Sequence, residues 1–259
     1  MINFSISFLD LEYFLLILVR VSCFVFIAPF FSMKNTPARV RIALSVFSSA
    51  LLYQTLTPAD AVVYDSVMAY ALIVLKEAVT GFLIGFSANI CVAIVNFAGS
   101  VVDMETGLSM VTLMDPTNQQ TSISGVIYNN ALMLMLIASG MYRYLFGALA
   151  DSFILIPLNG AIIRGENLVA AMTSFLSDYI MIGLQICLPI FCVILLLNSV
   201  LGVLAKVAPQ MNMFAVGIQL KIMVGLTILY LTSGMLSGAA GFIFTEVKKI
   251  TVSFVEGML

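Results

Sequence analysis

The stretch VMAYALIVLKEAVTGFLIGFSANICVAIVNFA, residues 67–98, decides the fold. Lys76 and Glu77 are its charged residues, and Asn89 and Asn96 are its amides. As a straight helix rising about 1.5 Å per residue it is about 48 Å long, against a bilayer core of about 30 Å. At 100° per residue Glu77, Gly81, Gly85, Asn89 and Asn96 fall within about 120° of one another, while Lys76 points elsewhere. One face thus combines an acid, two amides and small residues that admit a neighbouring helix. A charge inside an apolar helix is costly and calls for a partner or a function. The stretch reads as an over-long membrane-type helix with a packing face. A polar lining for a pathway is the other reading of that face.

Similar segments flank it. The first runs from Leu11 to Met33, interrupted by Arg20 and Pro29, and the second, Ile42 to Leu56, is short for a span. Between them lies a basic turn, Lys34 to Arg41. An acidic turn with Asp60 and Asp65 follows the second. A loop, Gly99 to Gly125, leads to a weaker fourth region that ends at Pro157. A fifth segment spans Phe175 to Ala205 with Pro189 inside, and a sixth spans Phe214 to Thr245. Six crossings with the basic turn in the cytoplasm would put both termini outside. Segments three, five and six all exceed the bilayer. They must bend, or project beyond the lipid and be covered by something else.

Composition agrees with an all-α integral membrane protein of long bent helices and helical hairpins. Of 259 residues, 62% are hydrophobic and 9% charged, and the mean hydropathy is +1.13. A soluble domain carries about a quarter charged residues. Eleven Lys+Arg against thirteen Asp+Glu give −2, so no basic field exists for nucleic acid. With no His, Ser-His-Asp, Cys-His and His-based metal chemistry are excluded. Cys23, Cys91, Cys187 and Cys192 all lie in apolar stretches and read as small buried hydrophobes. No cofactor or metal is expected. The first charges, Asp10 and Glu12, are acidic, unlike the basic start of a secretory signal.

Two connections stand out. The Gly99–Gly125 loop carries an apolar, Met-bearing run between acids, with Gly107, Leu108, Met110, Leu113 and Met114 ahead of Asp115-Pro116. Irregular backbone at membrane depth is tolerated inside protein or along a cavity, and methionine can seal an irregular gap. A surface loop packed on its own subunit is the alternative. The second connection holds Lys206, Pro209, Gln210, Asn212 and Phe214 and reads as a rigid hairpin turn, with proline stopping the helix before it.

Together these pieces resemble the FliR/SpaR/YscT family of type III secretion export-gate proteins. The resemblance rests on Arg20 with Pro29-Phe30-Phe31-Ser32, on Pro37, Arg39 and Arg41, and on Lys76-Glu77 with Gly81 and Gly85-Phe86. It continues through Gly107-Leu108-Ser109, Asp115-Pro116, Ser152-Phe153, Leu188-Pro189, and Lys206 through Pro209-Gln210-Met211-Asn212 to Phe214, Gly217 and Lys221. It covers nearly the whole chain and points to the flagellar branch. An injectisome subunit is the homologous alternative.

The resemblance implies a component of the flagellar protein export gate in the bacterial inner membrane, at the flagellar basal body. FliP and FliQ would complete a channel for unfolded flagellar proteins, with FlhB and FlhA adjoining. Residues 1–163 would be FliP-like and 164–259 a FliQ-like helical hairpin. The loop 99–125 would plug the pore, with Gly107, Leu108, Met110, Leu113, Met114, Asp115 and Pro116 as its sealing residues. The family often has aromatics where Met110 and Leu113 stand, so a soft aliphatic seal would replace an aromatic one. Arg20, Lys76, Glu77, Gly81, Gly85, Asn89 and Asn96 would make contacts between helices or subunits. The competing class is a small-solute transporter with a midplane site. An intramembrane enzyme lacks a Gly-x-Gly-Asp or Gly-x-Ser-x-Gly motif here.

Overall fold

The computed structural model describes residues 8–32, 36–56, 64, 66–110, 122–160, 165–210, 212–232, 234 and 236–258. Among these residues there is no strand. The long helices are α1 (Phe8–Ile27), α2 (Ala38–Thr55), α3 (Val67–Thr106), α4 (Ile123–Ala138), α5 (Met141–Leu155), α6 (Gly165–Val207), α7 (Met213–Thr232) and α8 (Leu236–Glu256). The chain forms two compact units. The first comprises Met1–Ile90, Gly140–Phe175 and Thr245–Leu259, and the second Cys91–Ser139 and Leu176–Phe244.

In the first unit α1 and α2 pack side by side. They are antiparallel. Tyr13 and Phe14 near the start of α1 meet Tyr53 near the end of α2, and Arg41 at the start of α2 lies over Phe26 at the end of α1. The buried residues of α2 are Ser45 and Ser49, one turn apart, and their hydroxyls bond back to carbonyls of their own helix. Its large apolar residues, such as Phe47 and Leu51, are exposed. Small residues inside and large apolar ones outside is the pattern of a helix that faces lipid or another subunit. Tyr64 donates its hydroxyl to Glu12 Oε1 at 2.7 Å. That bond to a carboxylate, with some desolvation, raises the phenol above its ordinary pKa.

The second unit joins the later part of α3, α4, most of α6, and α7. Glycines set the helix spacings. A Cβ on Gly183 of α6 would lie 2.5 Å from the Phe97 ring, and one on Gly225 of α7 would lie 2.5 Å from the Thr106 methyl. Tyr179 of α6 donates its hydroxyl to the Ala93 carbonyl at 3.1 Å.

The helix limits differ from the hydropathy expectation in three places. Helix α3 runs 40 residues to Thr106, so the connection after it begins at Gly107 rather than Gly99. Gly99 is a close-packing residue inside the helix, whereas Gly107, at φ +83°, ends it. Helix α6 runs 43 residues through Pro189. The sixth apolar segment is broken into α7 and α8. At the break Thr232 turns its hydroxyl back onto the carbonyls of Ile228 and Leu229, a bond that bends helices.

The six crossings also need correction. Among the described residues three helices are long and apolar enough to cross a membrane: α3, α6 over Val169–Val207 and α7 over Ala215–Thr232. The count rises to four if α4 and α5, separated by Gly140 at φ +77°, act as one broken span. Helix α1 carries Asp10, Glu12 and Arg20, and α8 carries Glu246, Lys248, Lys249 and Glu256. Much of the apolar surface of α6 and α7 is uncovered in the single chain, with only 28% and 11% of their most apolar windows buried. Cys187 is buried, Cys23 half-buried and Cys192 exposed on α6, which corrects the expectation of uniform burial; the Cys91 side chain lies outside the described residues.

Candidate functional site

Arg20 of α1 is fully buried in the first unit, as is Glu77 of α3. Arg20 Nε donates to Glu77 Oε2 at 2.6 Å. The other guanidinium nitrogens cap the end of α5: Nη1 donates to the Ser152 carbonyl at 3.0 Å, and Nη2 to the Ile156 carbonyl at 3.1 Å. The guanidinium also lies 4.2 Å from the centre of the Phe153 ring. A planar fork with five donors suits this task, and a cation at a helix C-terminus is favoured by the macrodipole. Glu77 Oε1 accepts the Asn159 backbone N–H at 3.1 Å. Asn159 sits at φ +67°, a conformation asparagine tolerates better than most residues. One ion pair therefore ties together α1, α3 and the chain leaving α5.

The pair forms because Gly81 and Gly85 let α1 approach. A Cβ on Gly81 would overlap the Arg20 carbonyl, and one on Gly85 would lie 2.9 Å from the Phe24 carbonyl oxygen. The rest of the expected face does not join them. Asn89 and Asn96 are exposed, and Lys76 is half-buried. Serine 87 of α3 instead meets Thr251 of α8, hydroxyl to hydroxyl at 2.7 Å. Neither Ser152, Phe153 and Ile156 as partners of Arg20 nor Asn159 as a partner of Glu77 was singled out in the sequence. Two of the four act through backbone atoms alone, which no side-chain pattern advertises.

The second arrangement, in the second unit, fixes the base of the connection between α3 and α4. Asp103, nearly fully buried, accepts the Ser124 N–H at 3.1 Å. Ser122 caps α4 by accepting the Gly125 N–H at 2.8 Å. The acid also lies where the partial positive charge of the α4 N-terminus favours it. Beside it, a Cβ on Gly99 would collide with the Gly125 backbone, so only glycine permits this approach. Leu108 is half-buried and Met110 exposed, and the Met110 N–H bonds the Gly107 carbonyl at 3.1 Å. Leu113, Met114, Asp115 and Pro116 lie outside the described residues.

In the turn between α6 and α7, Lys206, Pro209, Gln210 and Asn212 are exposed. Lys206 lies in the last turn of α6, where a cation is favoured. The Asn212 side-chain oxygen accepts the Ala215 N–H at 3.4 Å, in the manner of an N-cap. Phe214 is helical, at the start of α7. Among the described residues no three Cys, Asp or Glu side chains are close enough to hold a metal ion.

Residues 11–247 match the model of the family described as bacterial export proteins, family 1. Among curated proteins, the chain is 31% identical over 220 residues to the flagellar biosynthetic protein FliR of Bacillus subtilis (strain 168), covering 83% of this chain and 84% of that one. It is 30% identical over 232 residues to FliR of Pectobacterium carotovorum subsp. carotovorum, with 88% and 87% covered. With FliR of Escherichia coli (strain K12) it shares 27% over 241 residues, with 92% and 91% covered.

Proposed function

The chain belongs to the FliR family of bacterial export proteins, membrane-embedded components of the flagellar export apparatus, and from that premise we propose that it forms, with FliP and FliQ homologues, the channel through which unfolded flagellar proteins cross the inner membrane. FlhB and FlhA homologues adjoin it at the basal body. Residues 1–163 form its FliP-like part, and 164–259 its FliQ-like hairpin about the turn at Pro209.

The observation that carries this reading is the tethered connection between α3 and α4. Both of its ends are held, by Asp103 on Ser124 and by Gly99 against Gly125, and its sequence carries the aliphatic residues Leu108, Met110, Leu113 and Met114. A secreted chain crosses as an extended polypeptide, so a fixed recognition pocket would hinder it. Flexible apolar side chains close against ions and part for any sequence, because methionine and leucine repack with little specificity. The family is one of transport rather than catalysis. Helices of 40 and 43 residues, about 60–65 Å long, are twice the thickness of a bilayer core of about 30 Å. Exposed apolar surface on α2, α6 and α7 suits burial against sister subunits, in an assembly that rises above the bilayer.

The test is affinity purification of the tagged chain from native membranes. The expected result is stoichiometric co-purification with the FliP and FliQ homologues. A chain that purifies alone and transports a small solute in vesicles would overturn the reading.

A further inference from the structure

We propose that a groove between α5 and α8 is a binding site for phosphatidylethanolamine, a zwitterionic lipid with a primary amine headgroup. The groove lies within the first unit and has a volume of about 380 Å³, within the range of about 300–1,000 Å³ typical of small-molecule sites. Gly147 and Ala148 of α5 leave it without side-chain filling, and a Cβ on Gly147 would meet nothing within 4 Å. Its remaining walls are mainly aliphatic. It opens among exposed apolar residues of both helices, including Ile154 and Val252, a surface that fits acyl chains.

The charges decide the headgroup. Asp151 from α5 and Glu256 from the end of α8 both line the groove, and both are exposed and reachable. Tyr144 also lines it, with the Lys248 ammonium 5.1 Å from the centre of its ring. Two carboxylates and one ammonium border a single apolar slot. An ammonium held by the acids, a phosphate reached by the flexible lysine, and an acyl chain in the slot satisfy all three. An anionic lipid without an amine has no cation to pair with Asp151 and Glu256, and would bring its own negative charge beside them.

Native mass spectrometry of the full chain tests this, after reconstitution in nanodiscs of equal phosphatidylethanolamine and phosphatidylglycerol. An ammonium hydrogen-bonded to carboxylates gives a preference on the order of tenfold, so the native chain retains phosphatidylethanolamine about tenfold over phosphatidylglycerol. Asp151→Asn with Glu256→Gln abolishes the preference. These substitutions are isosteric and at exposed side chains, and an unchanged thermal melt of the variant chain checks that the fold is intact. Ala148→Phe fills the slot and removes the retained lipid. Equal retention of the two lipids by the native chain, or a preference that survives loss of both acids, would overturn the proposal. So would a cross-link in the intact export apparatus from the Gly147→Cys variant to another subunit, in place of lipid.

Discussion

Replacing Glu77 with Ala should destabilise the first unit by about 3–5 kcal/mol, because the fully buried Arg20 would lose its counter-ion. At a factor of ten per 1.4 kcal/mol, the folded fraction relative to unfolded chain falls by roughly two to three and a half powers of ten. Circular dichroism of the purified chain on heating, with the level of chain recovered from membranes, measures the effect. The double variant Arg20→Met with Glu77→Met separates the ion pair from mere packing. Replacing a buried pair by apolar residues of similar volume is often neutral. Here the carbonyls of Ser152 and Ile156 would still lose their donors, so the double variant should recover much of the loss but not all. Native-like stability in Glu77→Ala, or a double variant no better than the single one, would contradict the role assigned to the pair.

Gly81→Ala should have the next largest effect. The new methyl would overlap the Arg20 carbonyl and lie 2.9 Å from its carbon. Those are backbone atoms and cannot swing aside, so α1 must move as a whole. Overpacking costs about 1–3 kcal/mol, and more where relief is blocked. Moving α1 also stretches the 2.6 Å Arg20–Glu77 contact, which places this variant at the upper end or above. Gly202→Ala on α6 is the contrast, since a Cβ there meets nothing within 4 Å. It should be neutral or stabilise the purified chain by up to about 1 kcal/mol through helix propensity. Equal melting of the two variants would show that the close approach of α1 and α3 is unimportant.

How far these features were legible follows from their physical range. The shared face of Glu77, Gly81 and Gly85 was readable because helical periodicity is local. Arg20 announced a need for a partner, since a guanidinium in an apolar segment cannot stay unpaired. Glu77 as that partner, 57 residues away, was not readable. Asn89 and Asn96 lie on the same stripe yet are exposed. The reason is length: Gly85 already meets Phe24 and Ile27 near the end of α1, and α3 continues past it. Gly99 misled in the opposite direction, because glycine both ends helices and lets backbones touch. The break after Thr232 was hidden by hydropathy that continues across it. The count of six apolar segments included those of α1, with its three charges, and of the short α2, which are not among the candidate spans of the described residues. Apolarity records what is covered, by lipid or by protein, and does not distinguish them.

The most direct measurement of the central claim is the ion permeability of the assembled export complex lacking Leu108–Met114. The deletion spares Asp103, Ser122, Ser124 and the Gly99–Gly125 contact, so the ends of the connection stay anchored and assembly should be retained. Vesicles carrying the native complex are expected to hold an ion gradient, and vesicles carrying the deletion to lose it rapidly. An unchanged permeability in the fully assembled deletion complex would contradict the assignment of this connection as the seal of the export channel.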